Sequence, residues 1–418
     1  MKLVQIGAGN IGRSFIGQLF ARAGWDVVFL DIDSNLVRAL NEKRGYRIII
    51  KDEPAAEILI QGVAAVDAHD EEAAAREIAS ADLVSSAVGA AALPGVYSLI
   101  AKGLLLRQKD RGPLDILICE NVLRGAELFR SGLKSYLPAG YPLGQTVGLV
   151  ETSIGKMVPI MPEEVRRNDP LLLYAEAFNT LIVDRKGFIG PVPDVPGVDA
   201  KDNIEAYVDR KLFIHNLGHA VAAYVGHAVH PELPVLWQAL DDARVREVAE
   251  RAMWESGRAL IRRYPGEFSE ENQAEYIRDL LRRFANRALG DTVHRVGRDL
   301  PRKLGPEERL VGGIRLQQQE GAPSTHTTLG LACALLFRAP DESGRTHAAD
   351  EAFAERLRRD GAEAVLHDVC GLDAAKASDA EVIANAATAF RFLAANPEPA
   401  WLDRFLQAGF SAFSGGRS

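Results

Sequence analysis

The stretch KLVQIGAGNIG, residues 2–12, limits the fold more than any other part of the chain. An apolar, strand-like run leads straight into Gly7, Ala8, Gly9, Asn10, Ile11 and Gly12. A G-x-G-x-x-G turn between a buried strand and a helix is the opening of a dinucleotide-binding α/β unit. Its glycines let the backbone turn tightly and approach a pyrophosphate at the helix N-terminus. IGRSFIGQLFARAG follows and reads as an amphipathic helix ending at Gly24. VVFLDID reads as the next strand and puts Asp31 at its end, 19 positions after Gly12. A carboxylate there accepts hydrogen bonds from the ribose hydroxyls of NAD and repels the extra phosphate of NADP. The expected cofactor is therefore NAD, held at Gly7, Gly9, Asn10, Ile11, Gly12 and Asp31, with Val88 of LVSSAVG on the same site. Asp33 is the alternative carboxylate, and Arg13 is either a phosphate contact or a surface residue.

The βαβ rhythm continues. LVSSAVG, LDILICEN and VGLVETSIG are each apolar and each end in small or polar residues, as in a parallel sheet covered on both faces. YRIIIKD and EILIQGVAAV sit between the early units and read as a hairpin or edge insertion. GPVPDVPGVDA, residues 190–200, reads as a linker. Beyond it strand signals fade, and long segments such as AEYIRDLLRRFANRAL and EVIANAATAFRFLAA read as helices. The expected architecture is an α/β Rossmann-type domain over residues 1–195 and an all-α domain over residues 196–418.

Composition narrows the function classes. The 418 residues carry a net charge of −8, so no basic field exists to attract nucleic acid or an anionic membrane. No run of 18 apolar residues marks a membrane span. Cys119, Cys333 and Cys370 are far apart and form no metal or disulfide pattern, which fits a reducing cytoplasm. The N-terminus has no signal-peptide layout.

RKLFIHNLGHAVAAYVGHAVH, residues 210–230, concentrates titratable groups in an otherwise apolar helix. At about 100° per residue, Asn216 lies about 140° and His219 about 80° around the helix from Lys211, so the three fit one broad face. A lysine there can serve as acid/base, an asparagine can stabilise a developing oxyanion, and a histidine can orient a hydroxyl. A snorkelling lysine and a satisfied core histidine form the alternative. His215 and His219 have metal-pair spacing, but His230 is about 16 Å beyond His219 along a straight helix, too far for one ion. No metal is expected, and His215, His227 and His230 read as structural or surface residues.

With these motifs in place the chain resembles a known family. GAGNIGRSFIG, CENVLRGAE, RKLFIHNLGHAVAAYVG and RVGRDLPRKLGPEERL are similar, in order, to the polyol-specific long-chain dehydrogenases. Their likeness is greatest to the branch that acts on mannitol 1-phosphate. The resemblance implies metal-independent hydride transfer between a polyol carbon and NAD in a cleft between two domains. It implies that Lys211 is the general base, that Asn216 and Asn121 stabilise the reacting oxygen, and that His219 binds substrate. The expected reaction is reversible oxidation of mannitol 1-phosphate to fructose 6-phosphate; the alternative substrate is a free polyol or a sugar acid such as mannonate or altronate. Arg295, Arg298, Arg302 and Lys303 are the expected phosphate contacts, since arginine forks suit phosphate oxygens. Gly155 and Lys156 depart from the branch, which has an Asp-Arg pair there, so Lys156 would carry the charge without the fork. The protein is expected to act as a monomer or homodimer on a small sugar alcohol or its phosphate.

Overall fold

The computed structural model describes residues 1–52 and 54–413, and the chain divides into two compact units, Met1–Val208 and Asp209–Ser418. The first contains strands β1 (Lys2–Ile6), β2 (Asp26–Asp31), β3 (Gly45–Ile50), β4 (Ala56–Gln61), β5 (Ala64–Asp67), β6 (Leu83–Ser86), β7 (Leu114–Ile118), β8 (Val147–Ile154), β9 (Leu172–Ala175), β10 (Leu181–Asp184) and β11 (Val198–Lys201). The main sheet runs β11-β10-β8-β7-β6-β1-β2-β5. It is parallel from β8 to β5, and β10 joins β8 antiparallel. Strand order reverses beside β1, so the loops after β1 and β6 border the crevice where such sheets bind ligands.

The central strands do not alternate polar and apolar residues. All of β6 and β7 is buried, because helices cover both faces of the sheet. Phe15, Phe20, Phe29, Leu40 and Tyr46 form one core layer. Ile78, Val96, Ile100, Phe129 and Leu133 form the other. A fully buried side chain of this size contributes about 1.5–3 kcal/mol.

The expected hairpin is present as the antiparallel pair β3 and β4, in a small sheet of its own with β9. The last part of that sequence, VAAV, instead enters the main sheet as the edge strand β5 beside β2. Gly62, with φ +78°, makes the turn between the two. The proline-rich stretch after residue 190 connects β10 to its parallel partner β11, and the division between the units follows at Val208.

The second unit is helical. Its centre is Leu217–Val229, an almost wholly buried helix packed on Ala243–Arg263 and Thr325–Leu336. Close approach relies on missing Cβ atoms: a Cβ on Gly226 would stand 2.6 Å from the Ala239 Cβ, and one on Gly330 2.8 Å from Val221. Among the described residues two segments are π turns, Gly12–Gly17 and Lys211–Asn216. Such i→i+5 insertions occur frequently at functional sites. Gly226→Val should destabilise the helical unit by about 1–3 kcal/mol through overpacking, read as a lower midpoint in urea unfolding.

Candidate functional site

The nucleotide half is built on the turn after β1. Gly7 has φ +89°, and a Cβ there would stand 2.5 Å from the Ala87 carbonyl oxygen. A Cβ on Gly12 would collide with the Gly7 carbonyl. Around Gly9 nothing lies within 4 Å of the position a Cβ would take. The outer glycines thus close the turn on itself, while the middle one leaves open space suited to a pyrophosphate. Asn10 is exposed and Ile11 half-buried at the start of the helix.

Asp31 ends β2 with its carboxylate tied to that turn. Its Oδ2 accepts from the Ala8 N–H at 2.6 Å, and its Oδ1 from the Asp33 N–H at 3.0 Å. Asp33 is committed elsewhere, accepting the Asn35 and Leu36 N–H groups as N-cap of Ser34–Lys43. What separates the two is position: Asp31 is bonded to the glycine turn through Ala8, and Asp33 to the N-terminus of its own helix. Arg13 is neither a phosphate finger nor a surface residue. It is buried, and donates to the Ala8 carbonyl at 2.6 Å and the Pro170 carbonyl at 2.9 Å; burial lowers its pKa to about 10. It supports the turn from below.

Val88 lies on the loop after β6, with its Cγ1 3.0 Å from the Cβ position of Gly7. Its N–H and that of Gly89 donate to the two carboxylate oxygens of Glu120 at 2.9 and 2.8 Å, and the Ser86 hydroxyl donates to the first oxygen at 2.6 Å. Sequence reasoning missed Glu120, although it stands beside Asn121 in the CEN run. Asn121 itself is exposed just beyond the end of β7. Lys156 is buried within the first unit and donates to the Glu176 and Phe178 carbonyls at 3.0 and 2.7 Å and to Asn179 Oδ1 at 3.2 Å. Its charge is spent on backbone oxygens, which differs from the substrate contact considered for it.

In the helical unit, Lys211 opens a π turn and Asn216 closes it. The i→i+5 spacing brings the two about one turn apart, so they share a face more closely than α-helical geometry allows. Burial lowers the Lys211 pKa to about 8, and the nearby Arg309 guanidinium adds to this against the opposing pull of Glu308. His219 is stacked on Phe284, with centroids 4.5 Å apart and planes 10° apart. Its Nε2 lies 3.2 Å from Asp291 Oδ2. Burial holds its pKa below the ordinary value, although Asp291 pulls it up. His215 is buried edge-on to His219, and burial drives it well below the usual imidazole range. His227 accepts the Arg338 N–H at 3.3 Å, and His230 pairs with Asp242 at 3.0 Å. Among the described residues no group of three or more His, Cys, Asp or Glu is arranged to hold a metal ion.

The four basic residues beyond this helix go to different places. Arg295 donates through Nε to Asp291 at 2.6 Å. Arg302 pairs with Asp299 and Glu308. Lys303 turns inward to the Val296 carbonyl at 2.7 Å, and burial lowers its pKa to about 7. Arg298 is exposed.

Comparison with known proteins identifies the family and the fold. Residues 1–197 match the family model for the mannitol dehydrogenase Rossmann domain, and residues 203–390 match that for the mannitol dehydrogenase C-terminal domain. The chain belongs to the mannitol dehydrogenase family. This is a family of NAD-dependent polyol dehydrogenases, and the open glycine turn with Asp31 beside it fits that cofactor. The fold is also that of a Pseudomonas fluorescens mannitol 2-dehydrogenase solved as a ternary complex with NAD and D-mannitol. That structure has a TM-score of 0.77 at 16% identity, with 98% of this chain and 94% of that one covered. A D-sorbitol dehydrogenase solved in substrate-free form has a TM-score of 0.73 at 17% identity, with the same coverage of 98% and 94%. No described helix is long and apolar enough to cross a membrane.

Asp31→Ala should weaken NAD binding at least about tenfold, since a hydrogen bond to a charged group contributes about 1.5–3 kcal/mol. Fluorescence titration with NADH measures this, and the same titration with NADPH should show reduced discrimination.

Proposed function

We propose that this mannitol dehydrogenase family member oxidises a secondary carbinol of a phosphorylated hexitol, mannitol 1-phosphate to fructose 6-phosphate, and catalyses the reverse, without a metal. The observation that carries the chemistry is Lys211, a lysine whose burial lowers its pKa to about 8 at the start of a π turn that also presents Asn216. Bound NAD supplies the hydride acceptor. Neutral Lys211 takes the hydroxyl proton. The Asn216 and Asn121 amides donate to the oxygen as negative charge develops on it. His219 holds a neighbouring hydroxyl. The phosphate reading is supported by the basic turn, where Arg298 is exposed and Arg295 and Arg302 keep about half of their side chains accessible, 41% and 49%.

A second reading, oxidation of an unphosphorylated polyol, has its own support. Arg295, Arg302 and Lys303 already have oxygen partners, and the Pseudomonas fluorescens structure contains D-mannitol. One assay separates the two: NADH formation on mannitol 1-phosphate, sorbitol 6-phosphate, mannitol, arabinitol, mannonate and altronate, with and without chelator. Preference for a phosphorylated hexitol supports the first reading. Turnover confined to unphosphorylated substrates replaces it with the second, and loss of activity with chelator contradicts metal-free chemistry.

The pH dependence has a defined sign. A base must be neutral, and the Lys211 pKa is lowered to about 8. Below that pH, kcat/KM for oxidation should rise about tenfold per unit, then level off above it. Carbonyl reduction needs the protonated lysine and should decline above the same pH. Lys211→Ala should abolish both directions while leaving NADH affinity near that of the wild type.

A further inference from the structure

Asp291 is a buried carboxylate of the helical unit, and each of its oxygens faces a different candidate site residue. Oδ2 lies 3.2 Å from His219 Nε2, and Oδ1 accepts from Arg295 Nε at 2.6 Å. Its backbone is fixed as well, because its carbonyl accepts the Leu236 N–H at 2.8 Å. The His219 ring has little freedom to tilt, being stacked on Phe284 at 4.5 Å. Nε2 is its buried nitrogen and has Asp291 at close range without a well-aligned hydrogen bond, while the side chain as a whole keeps 16% of its surface accessible.

An ionised carboxylate can only accept hydrogen bonds, and a neutral imidazole carries one N–H. A ring with Nε2 toward Asp291 is therefore stable as the Nε2–H tautomer. Nδ1 then has a free lone pair, and a polyol hydroxyl is a matching donor. The opposite tautomer would set a lone pair against a buried negative charge. We infer that Asp291 is a positioning residue for polyol recognition: it fixes His219 as the Nε2–H tautomer, so that Nδ1 accepts a substrate hydroxyl, and it holds Arg295 on its other oxygen. The inference rests on the polyol dehydrogenase reading above. It explains why a buried acid stands beside a substrate histidine, whose buried Nε2 would otherwise face no acceptor.

Two measurements test it. The first uses the unaltered chain: NMR of the protein with 15N-labelled histidine at neutral pH, with the His219 signals assigned by His219→Gln. The expected pattern is a protonated Nε2 and a bare Nδ1. A protonated Nδ1, or a doubly protonated ring, overturns the inference whether or not any polyol is turned over. The second is kinetic, on whichever polyol the wild type oxidises. Asp291→Asn should lower kcat/KM about 10- to 100-fold, by analogy with losing the outer partner that fixes the tautomer and orientation of a metal-bound histidine, with NADH affinity unchanged. In a His219→Gln background the same change should have little further effect, because its action passes through that histidine. Losses that multiply independently, or an Asp291→Asn variant with wild-type constants, contradict it. Absence of turnover in the wild type would instead refute the proposed function, leaving the tautomer result to stand alone.

Discussion

A half-buried lysine held in a helix is the constraint on which the proposed site depends. An unperturbed lysine has a pKa of about 10.4 and is almost wholly protonated at neutral pH. Burial and the neighbouring Arg309 lower that of Lys211 to about 8. The chain must hold this group in place against the cost of desolvating it, and the apolar packing of Leu217–Val229 against Ala243–Arg263 and Thr325–Leu336 provides the scaffold. The π turn then sets Asn216 about one turn from Lys211, so that the proposed base and the proposed oxyanion donor share a face.

The nucleotide half obeys a different physical rule. There the backbone carries the geometry: two glycines close the turn, a third leaves it open, and Arg13 and Asp31 grip the carbonyl and the N–H of the same residue, Ala8. Glu120 holds the facing loop through Ser86, Val88 and Gly89. In this unit Arg13, Asp31 and Glu120 thus act on backbone groups of the two loops.

The glycine turn and the strand ending at Asp31 were legible in the sequence because their requirements are local: a tight turn needs glycine, and a strand ends where its apolar run ends. The order of Lys211, Asn216 and His219 was legible too, but the π turn was not. An i→i+5 hydrogen bond leaves no signature in side-chain type, so regular helical spacing gave too wide an angle between Lys211 and Asn216. The basic run from Arg295 to Lys303 looked like one patch because its cations are close in sequence. Folding separates them: Lys303 points inward to a carbonyl, and two of the acids that engage the arginines, Asp291 and Glu308, lie outside the run. Lys156 shows the same effect, since its partners follow it by about 20 residues along the chain. Glu120 was overlooked because a carboxylate that binds backbone N–H groups has no pattern until the loops are placed.

The central claim is that this helix makes Lys211 a base near neutral pH, and a direct titration of that side chain tests it best. The measurement is the 13Cε chemical shift of Lys211 followed by NMR from pH 6 to 11, in protein labelled at lysine and assigned with Lys211→Arg. A midpoint at about 8 is the predicted result. A midpoint near the unperturbed value of about 10.4 would show a solvated lysine and contradict the account.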